Sequence, residues 1–235
     1  VQTCALPIYE KAEEVRKEAE HFYTMTMVAD EPAKVWECAG SVIYYVENAL
    51  AMLNKQYFHY GVKRAYEELN AMKHRPENVC ELIENIISAV SITDRKKNVT
   101  ALMKETIAVF QRVKEMFPEQ KKPVTEDTIS GTYEEMYSNW RNKMYLAEAT
   151  GNRHLAFMSL ISAGKMLAEI SSEIEIDQYR VMECYKPDDL YKTAYAYDDI
   201  LEKYRREYKK AGILEKRYAD IDEFVLAYQG KKQSE

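Results

Sequence analysis

Glycine and proline are scarce in this chain, at seven and six of 235 residues. Apart from Gly40 and Gly164 they fall between periodic stretches, which is the punctuation of an all-α protein. So few glycines also exclude a P-loop or dinucleotide fingerprint, where clustered glycines let backbone approach phosphate. No apolar run nears the roughly 18 residues of a membrane span. Positive charge is not in excess: 33 Lys and Arg face 39 Asp and Glu, a net charge of −6. That balance argues against nucleic acid, which needs a basic footprint. Cysteine is rare, and Cys38, Cys80 and Cys184 are too widely spaced for a disulfide framework or a zinc site. A reducing cytoplasm is the expected location. His21, His59, His74 and His154 are scattered, with no H-E-x-x-H pair and no Ser/His/Asp set that spacing picks out.

What the chain does have is helical periodicity. The most informative run is residues 35–64. At 100° per residue Val35, Ala39, Val42, Ile43, Val46, Leu50 and Leu53 share one face, the pattern of a core-facing helix. The far face carries Tyr44, Tyr45, Asn48 and Met52, flanked by Glu47. A helix apolar on one side and aromatic-polar on the other touches protein or ligand on both. The expected fold is all-α, an antiparallel helical bundle of about eight or nine helices organised around this central helix. The 19 tyrosines suit helix flanks, where the ring is buried and the hydroxyl wet.

In chain order, a first helix is expected from about Tyr9 to Val28. Asp30 is placed to cap the second, with Pro32 in its first turn, and that helix should end near Phe58. Gly61 precedes a short third helix, Pro76 opens a fourth, and Thr93 or Asp94 caps a fifth that runs to Phe117 with Val99, Leu102, Met103, Ile107, Phe110 and Val113 inward. Residues 118–131, with two prolines, five charges and a closing glycine, read as a linker or a surface loop. Thr132 and Glu135 have capping-box spacing for a sixth helix, to Thr150. A seventh carries the stripe Leu155, Phe157, Met158, Ile161, Met166 and Ile170. Residues 174–187 read as irregular; Pro187 and Asp188 open an eighth helix, and Asp220 with Glu223 caps a last one. Residues 9–117 and 132–235 are thus expected as two helical regions, the second packed on the first.

Candidate chemistry is sparse. Gly40-Ser41 lies inside a helix with no acidic pair at the right distance, and Asp220-Ile221-Asp222 follows no Gly-Ser turn and reads as a cap, so no magnesium site is visible. Lys63 and Arg64 open a helix, where cations oppose the macrodipole; they either await a phosphate, carboxylate or acidic side chain, or are simply solvated. Glu47, beside Tyr44 and Asn48, either acts as a base or amine ligand, or is absorbed by a salt bridge or solvent. Trp36, Trp140 and Met25, Met27, Met52 and Met103 read as packing residues.

Two resemblances follow from particular stretches. The opening VQTCALPI resembles the translation of a common short-read sequencing adapter, so residues 1–8, with Cys4, are expected to be a non-native leader and the natural N-terminus to be lost. KAEEVRKEAEHFYTMTM with WECAGSVIYYVENALAMLNKQYF, continuing into HYGVKRAYEEL, resembles the helical substrate-binding and HEPN-like region of bacterial nucleotidyltransferase-fold proteins, relatives of the aminoglycoside nucleotidyltransferases. It covers residues 10–115. It implies that this chain has no cofactor of its own and that magnesium and a nucleoside triphosphate belong to a missing N-terminal catalytic domain. The helical part would select a small-molecule or protein acceptor, through Tyr44, Tyr45, Asn48, Lys63 and Arg64, and Glu47 would deprotonate it. The fifth helix lacks the histidine of the HEPN ribonuclease pattern. The alternative is a non-enzymatic helical module that binds a protein partner through the Tyr44 and Asn48 face. Neither nucleic acid nor membrane is an expected partner.

Overall fold

The computed structural model describes residues 6–117, 120–215, 218 and 221–232. It is 76% helical and all-α. Among the described residues nine helices run longer than four residues, beside two single turns, and no strand forms. The chain divides into two compact units, Val1–Glu119 and Gln120–Glu235.

In the N-terminal unit α1 spans Leu6–Val28 and α2 Pro32–Leu53. Residues 1–5 of the expected leader lie outside the described residues; Leu6, Pro7 and Ile8 form the first turn of α1. Ala12 and Ala19 of α1 are fully buried, which lets α2 lie close along it. Val35, Cys38, Ala39, Val42, Val46, Ala49, Leu50 and Leu53 of α2 are buried, so the periodic face is the core face; Ile43 is half-buried. Then come a 3-10 turn at Gly61–Arg64, α3 at Ala65–Ala71, α4 at Val79–Ser88 and α5 at Ile92–Lys114. Val99, Leu102, Met103, Phe110 and Val113 of α5 complete the core.

Several expected boundaries move, each for a local reason. Glu31, not Asp30, is the N-cap of α2, because Pro32 occupies the first helical position. The helix stops at Leu53, short of Phe58. Asn54 donates its amide to the Leu50 and His74 carbonyls and accepts the His74 N–H, and Lys55 is left-handed at φ 57°. Ser91 caps α5, accepting the Asp94 N–H at 3.0 Å and donating to the Asp94 carboxylate at 2.6 Å.

Trp36 is not a core residue. It is 55% exposed, and its indole covers the Arg95 guanidinium at 4.8 Å. Arg95 is 7% exposed, donates to the Ala89 carbonyl, and has no carboxylate partner among the described residues. Trp36→Ala is therefore expected to cost about 1 kcal/mol, the scale of a partly exposed cation–π contact, rather than that of a core cavity. A shift of the denaturation midpoint measures it, and a loss near 3 kcal/mol would contradict the surface role.

The C-terminal unit holds single turns α6 (Glu126–Ile129) and α7 (Thr132–Glu135), a π-helical turn Met136–Arg141, α8 (Asn142–Thr150), α9 (Arg153–Glu173), a 3-10 turn Val181–Cys184, α10 (Leu190–Lys210) and α11 (Ile221–Lys232). An isolated bridge joins Lys122 to Ile174. The capping box forms at Thr125 and Thr128, not at Thr132 and Glu135. Gly131 precedes α7 at φ 84°, and the Thr132 hydroxyl instead meets the Ile129 carbonyl and the Tyr204 hydroxyl. Asp189 caps α10, accepting the Lys192 N–H at 2.9 Å. The expected Asp220 cap lies outside the described residues.

Of the stripe expected on α9, Leu155, Met166 and Ile170 pack partly buried against the core, and Ile161 is half-buried. Ala156, Ser159, Leu160, Ala163, Leu167 and Ser171 face the core, while Phe157 and Met158 are exposed. Tyr197, Tyr204 and Tyr208 of α10 are fully buried in the same core as Leu160 and Leu167 of α9. Trp140 packs against this core as expected.

Candidate functional site

The N-terminal unit contains a cavity of about 480 Å³ beside the central helix. Gly40, Ile43, Tyr44 and Glu47 line it from α2, one helical face at steps of three and four residues. Val62, Lys63 and Arg64 of the 3-10 turn, with Ala65, Tyr66 and Glu67 of α3, form the second wall, and Ile83 and Ile87 of α4 the third. Its size is that of ordinary small-ligand sites.

Glu47 is the unusual group. Its side chain is half-buried, and no hydrogen bond or ion pair to its carboxylate is formed by the described residues. Burial alone pushes its pKa from 4.5 to about 7. A carboxylate removed from water is costly unless paired, so the proton is retained toward neutrality. Neighbouring polar groups are already engaged. Tyr66 donates its hydroxyl to Glu84 at 3.1 Å; burial, then that bond, raise its pKa to about 12. Cys80 donates its thiol to the Tyr66 carbonyl at 3.7 Å.

The turn carrying Lys63 and Arg64 is held from behind. Glu68 accepts the His59 N–H at 2.8 Å and the Tyr60 N–H at 3.0 Å, and those backbone bonds lower its pKa. Arg64 lies over the Tyr60 ring at 4.9 Å and donates to Glu67 at 2.8 Å. The partner expected for the cation pair is thus, for Arg64, an acidic side chain one turn on. Lys63 is exposed and forms no ion pair among the described residues.

Four of the six residues singled out in the sequence, Tyr44, Glu47, Lys63 and Arg64, meet at this cavity. Tyr45 and Asn48 do not line it. Tyr45 stacks on Phe22 of α1 at 5.3 Å, and Asn48 donates its amide to the Tyr44 carbonyl at 2.7 Å. Tyr44 stays 60% exposed at the rim. The apolar walls, Val62, Ile83 and Ile87, were not anticipated. Gly40 was the available signal: a glycine inside a helix costs about 1 kcal/mol relative to alanine, and this one shares a face with Glu47. A Cβ built at Gly40 meets nothing within 4 Å.

Elsewhere, Arg141 is packed by the Tyr137 and Tyr145 rings and paired with Asp198 at 2.7 Å, while Tyr145 donates to Asp198 at 2.5 Å. This cluster satisfies its charges internally. Among the described residues no group of three or more His, Cys, Asp and Glu side chains could hold a metal. No described helix is long and apolar enough to cross a membrane. Comparison with protein-family models, curated proteins and solved structures finds no match to this chain.

Proposed function

We propose that the N-terminal unit is an acceptor-binding module of a nucleotidyltransferase-like protein, and that the Glu47 cavity is where the acceptor sits. The observation that carries this reading is Glu47 itself: a half-buried carboxyl, unpaired within the described residues, facing an open cavity of about 480 Å³. A group held near pKa 7 accepts a proton from an acceptor hydroxyl or holds an ammonium at neutral pH. Tyr44 offers an exposed ring and hydroxyl at the mouth, and Lys63 an exposed ammonium that forms no ion pair among the described residues. Catalysis would come from a domain outside this chain, as the resemblance of residues 10–115 implies.

The direct test is methyl-detected NMR of the chain against a library of small amines and alcohols. Shifts should centre on Ile43, Ile83 and Ile87 and vanish in Glu47→Gln. Shifts confined to other residues would remove the cavity from the reading. The chain alone is also expected to transfer no nucleotide: labelled ATP, magnesium and a panel of aminoglycosides should give no labelled product. Chain-dependent labelling would place catalysis here after all.

A protein partner is favoured by one observation. Val62, at 92% exposure, stands with Ile87 and Tyr44 around the cavity mouth, and apolar groups left in water at a rim mark interaction surfaces. In that case Val62→Asp abolishes partner binding while Glu47→Gln leaves it unchanged.

A further inference from the structure

We infer that the ligand of this cavity is a monoamine on an apolar body, its ammonium against Glu47 and its hydrocarbon against Ile43, Val62, Ile83 and Ile87. The inference rests on reading the cavity as the acceptor site and narrows what that acceptor is.

Charge sets the number of amines. Two acidic and two basic side chains line the cavity: Glu47, Glu67, Lys63 and Arg64. Arg64 and Glu67 neutralise each other at 2.8 Å. What remains is one half-buried carboxylate, Glu47, and one exposed ammonium, Lys63. A polycation such as an aminoglycoside finds a single partner for its several amines, and Lys63 repels the others. A single ammonium is matched once, and Lys63, which is exposed, forms no ion pair with Glu47 among the described residues. An anionic ligand is disfavoured by Glu47 whenever it is ionised.

The walls set the rest of the ligand. Apart from Glu47 and the rim, the lining groups are branched aliphatic side chains, Ala65, Gly40 and the edges of Tyr44 and Tyr66. The Tyr66 hydroxyl is committed to Glu84. A polyol would bury hydroxyls with few partners, whereas a hydrocarbon ring system loses nothing on entry. Gly40 keeps the α2 wall open. With nothing within 4 Å of a Cβ there, and ordinary helical backbone, a larger residue can be introduced without strain and with better helix propensity.

The experiment is titration calorimetry on the 235-residue chain at pH 8 with three probes: tryptamine, 3-methylindole and kanamycin. Tryptamine should bind at least tenfold tighter than either of the others. Its affinity should rise about tenfold from pH 5.5 to 8.5 as Glu47 ionises, while that of uncharged 3-methylindole stays flat. Glu47→Gln should erase the difference between tryptamine and 3-methylindole. Gly40→Leu, which is not expected to impair folding, should weaken both. Equal affinities for tryptamine and 3-methylindole overturn the inference. Kanamycin binding tighter than tryptamine, and dependent on Glu47, also overturns it but leaves the cavity as an acceptor site. If no probe binds and the wider amine and alcohol library shifts none of the cavity methyls, the acceptor reading falls with it.

Discussion

Tyr208→Phe is expected to destabilise the C-terminal unit by about 2 kcal/mol, although it removes one oxygen and leaves the ring in place. The Tyr208 hydroxyl donates to the Ile129 carbonyl at 2.6 Å and accepts the Tyr133 N–H at 3.0 Å. It therefore ties α10 to the single turns α6 and α7 at the point where the chain bends through Gly131. Each buried hydrogen bond contributes about 1 kcal/mol net, and breaking one partner adds desolvation cost for what remains. The neighbouring Tyr204 hydroxyl, 2.7 Å from the Thr132 hydroxyl, serves the same turn, so the double variant should fall short of additivity. Tyr208→Ala, which also empties the ring's volume, should cost about 3–5 kcal/mol. Urea titration followed by near-ultraviolet circular dichroism checks both. A Tyr208→Phe loss under about 0.5 kcal/mol would mean that packing of the ring, not the hydroxyl, holds the turn.

The same tyrosines mark where reading the sequence stops. The α2 face was legible because Val35, Ala39, Val42, Val46 and Leu50 repeat with the helix and are buried for that reason. Periodicity reports which face is apolar but not how much room the opposite element leaves. On α9 the bulky Phe157 and Met158 looked like core, yet both are exposed, and the inward face is Leu160 and Leu167 with the small Ala156, Ser159, Ala163 and Ser171, in a core shared with three buried rings from α10. Trp36 misled too, since its exposed indole covers the buried Arg95 guanidinium rather than filling a pocket in the interior. The Thr132 box failed because a local pattern cannot reveal a competing hydroxyl 72 positions away. The site divides similarly. Tyr44 and Glu47 were legible from the character of one helix, and Lys63 and Arg64 from charge at a helix start. Ile83 and Ile87 were not, because only the packing of α4 against α5 and α3 carries them to the cavity.

Glu47→Gln is expected to stabilise the protein at pH 8 and to change little at pH 4.5. The folded state holds the Glu47 proton up to about pH 7, whereas an unfolded chain releases it near 4.5. Between those values the folded state binds more protons than the unfolded one, so folding stability falls as pH rises through that window. Above pH 7 both states are ionised and the penalty is constant. Below 4.5 both are protonated and there is none. Glutamine is neutral throughout and removes the slope. The gain at pH 8 should be about 1–2 kcal/mol, scaled down from the full shift because the half-buried carboxyl keeps some contact with water. Denaturant midpoints at the two pH values give the result directly. Tryptamine closes the argument: at pH 8 it should raise the midpoint of the unsubstituted chain, by offsetting the cost of a buried carboxylate, and raise that of Glu47→Gln no more than 3-methylindole does. An advantage for glutamine that is the same at both pH values would show that Glu47 is fully solvated, and a solvated carboxylate has no call on an ammonium.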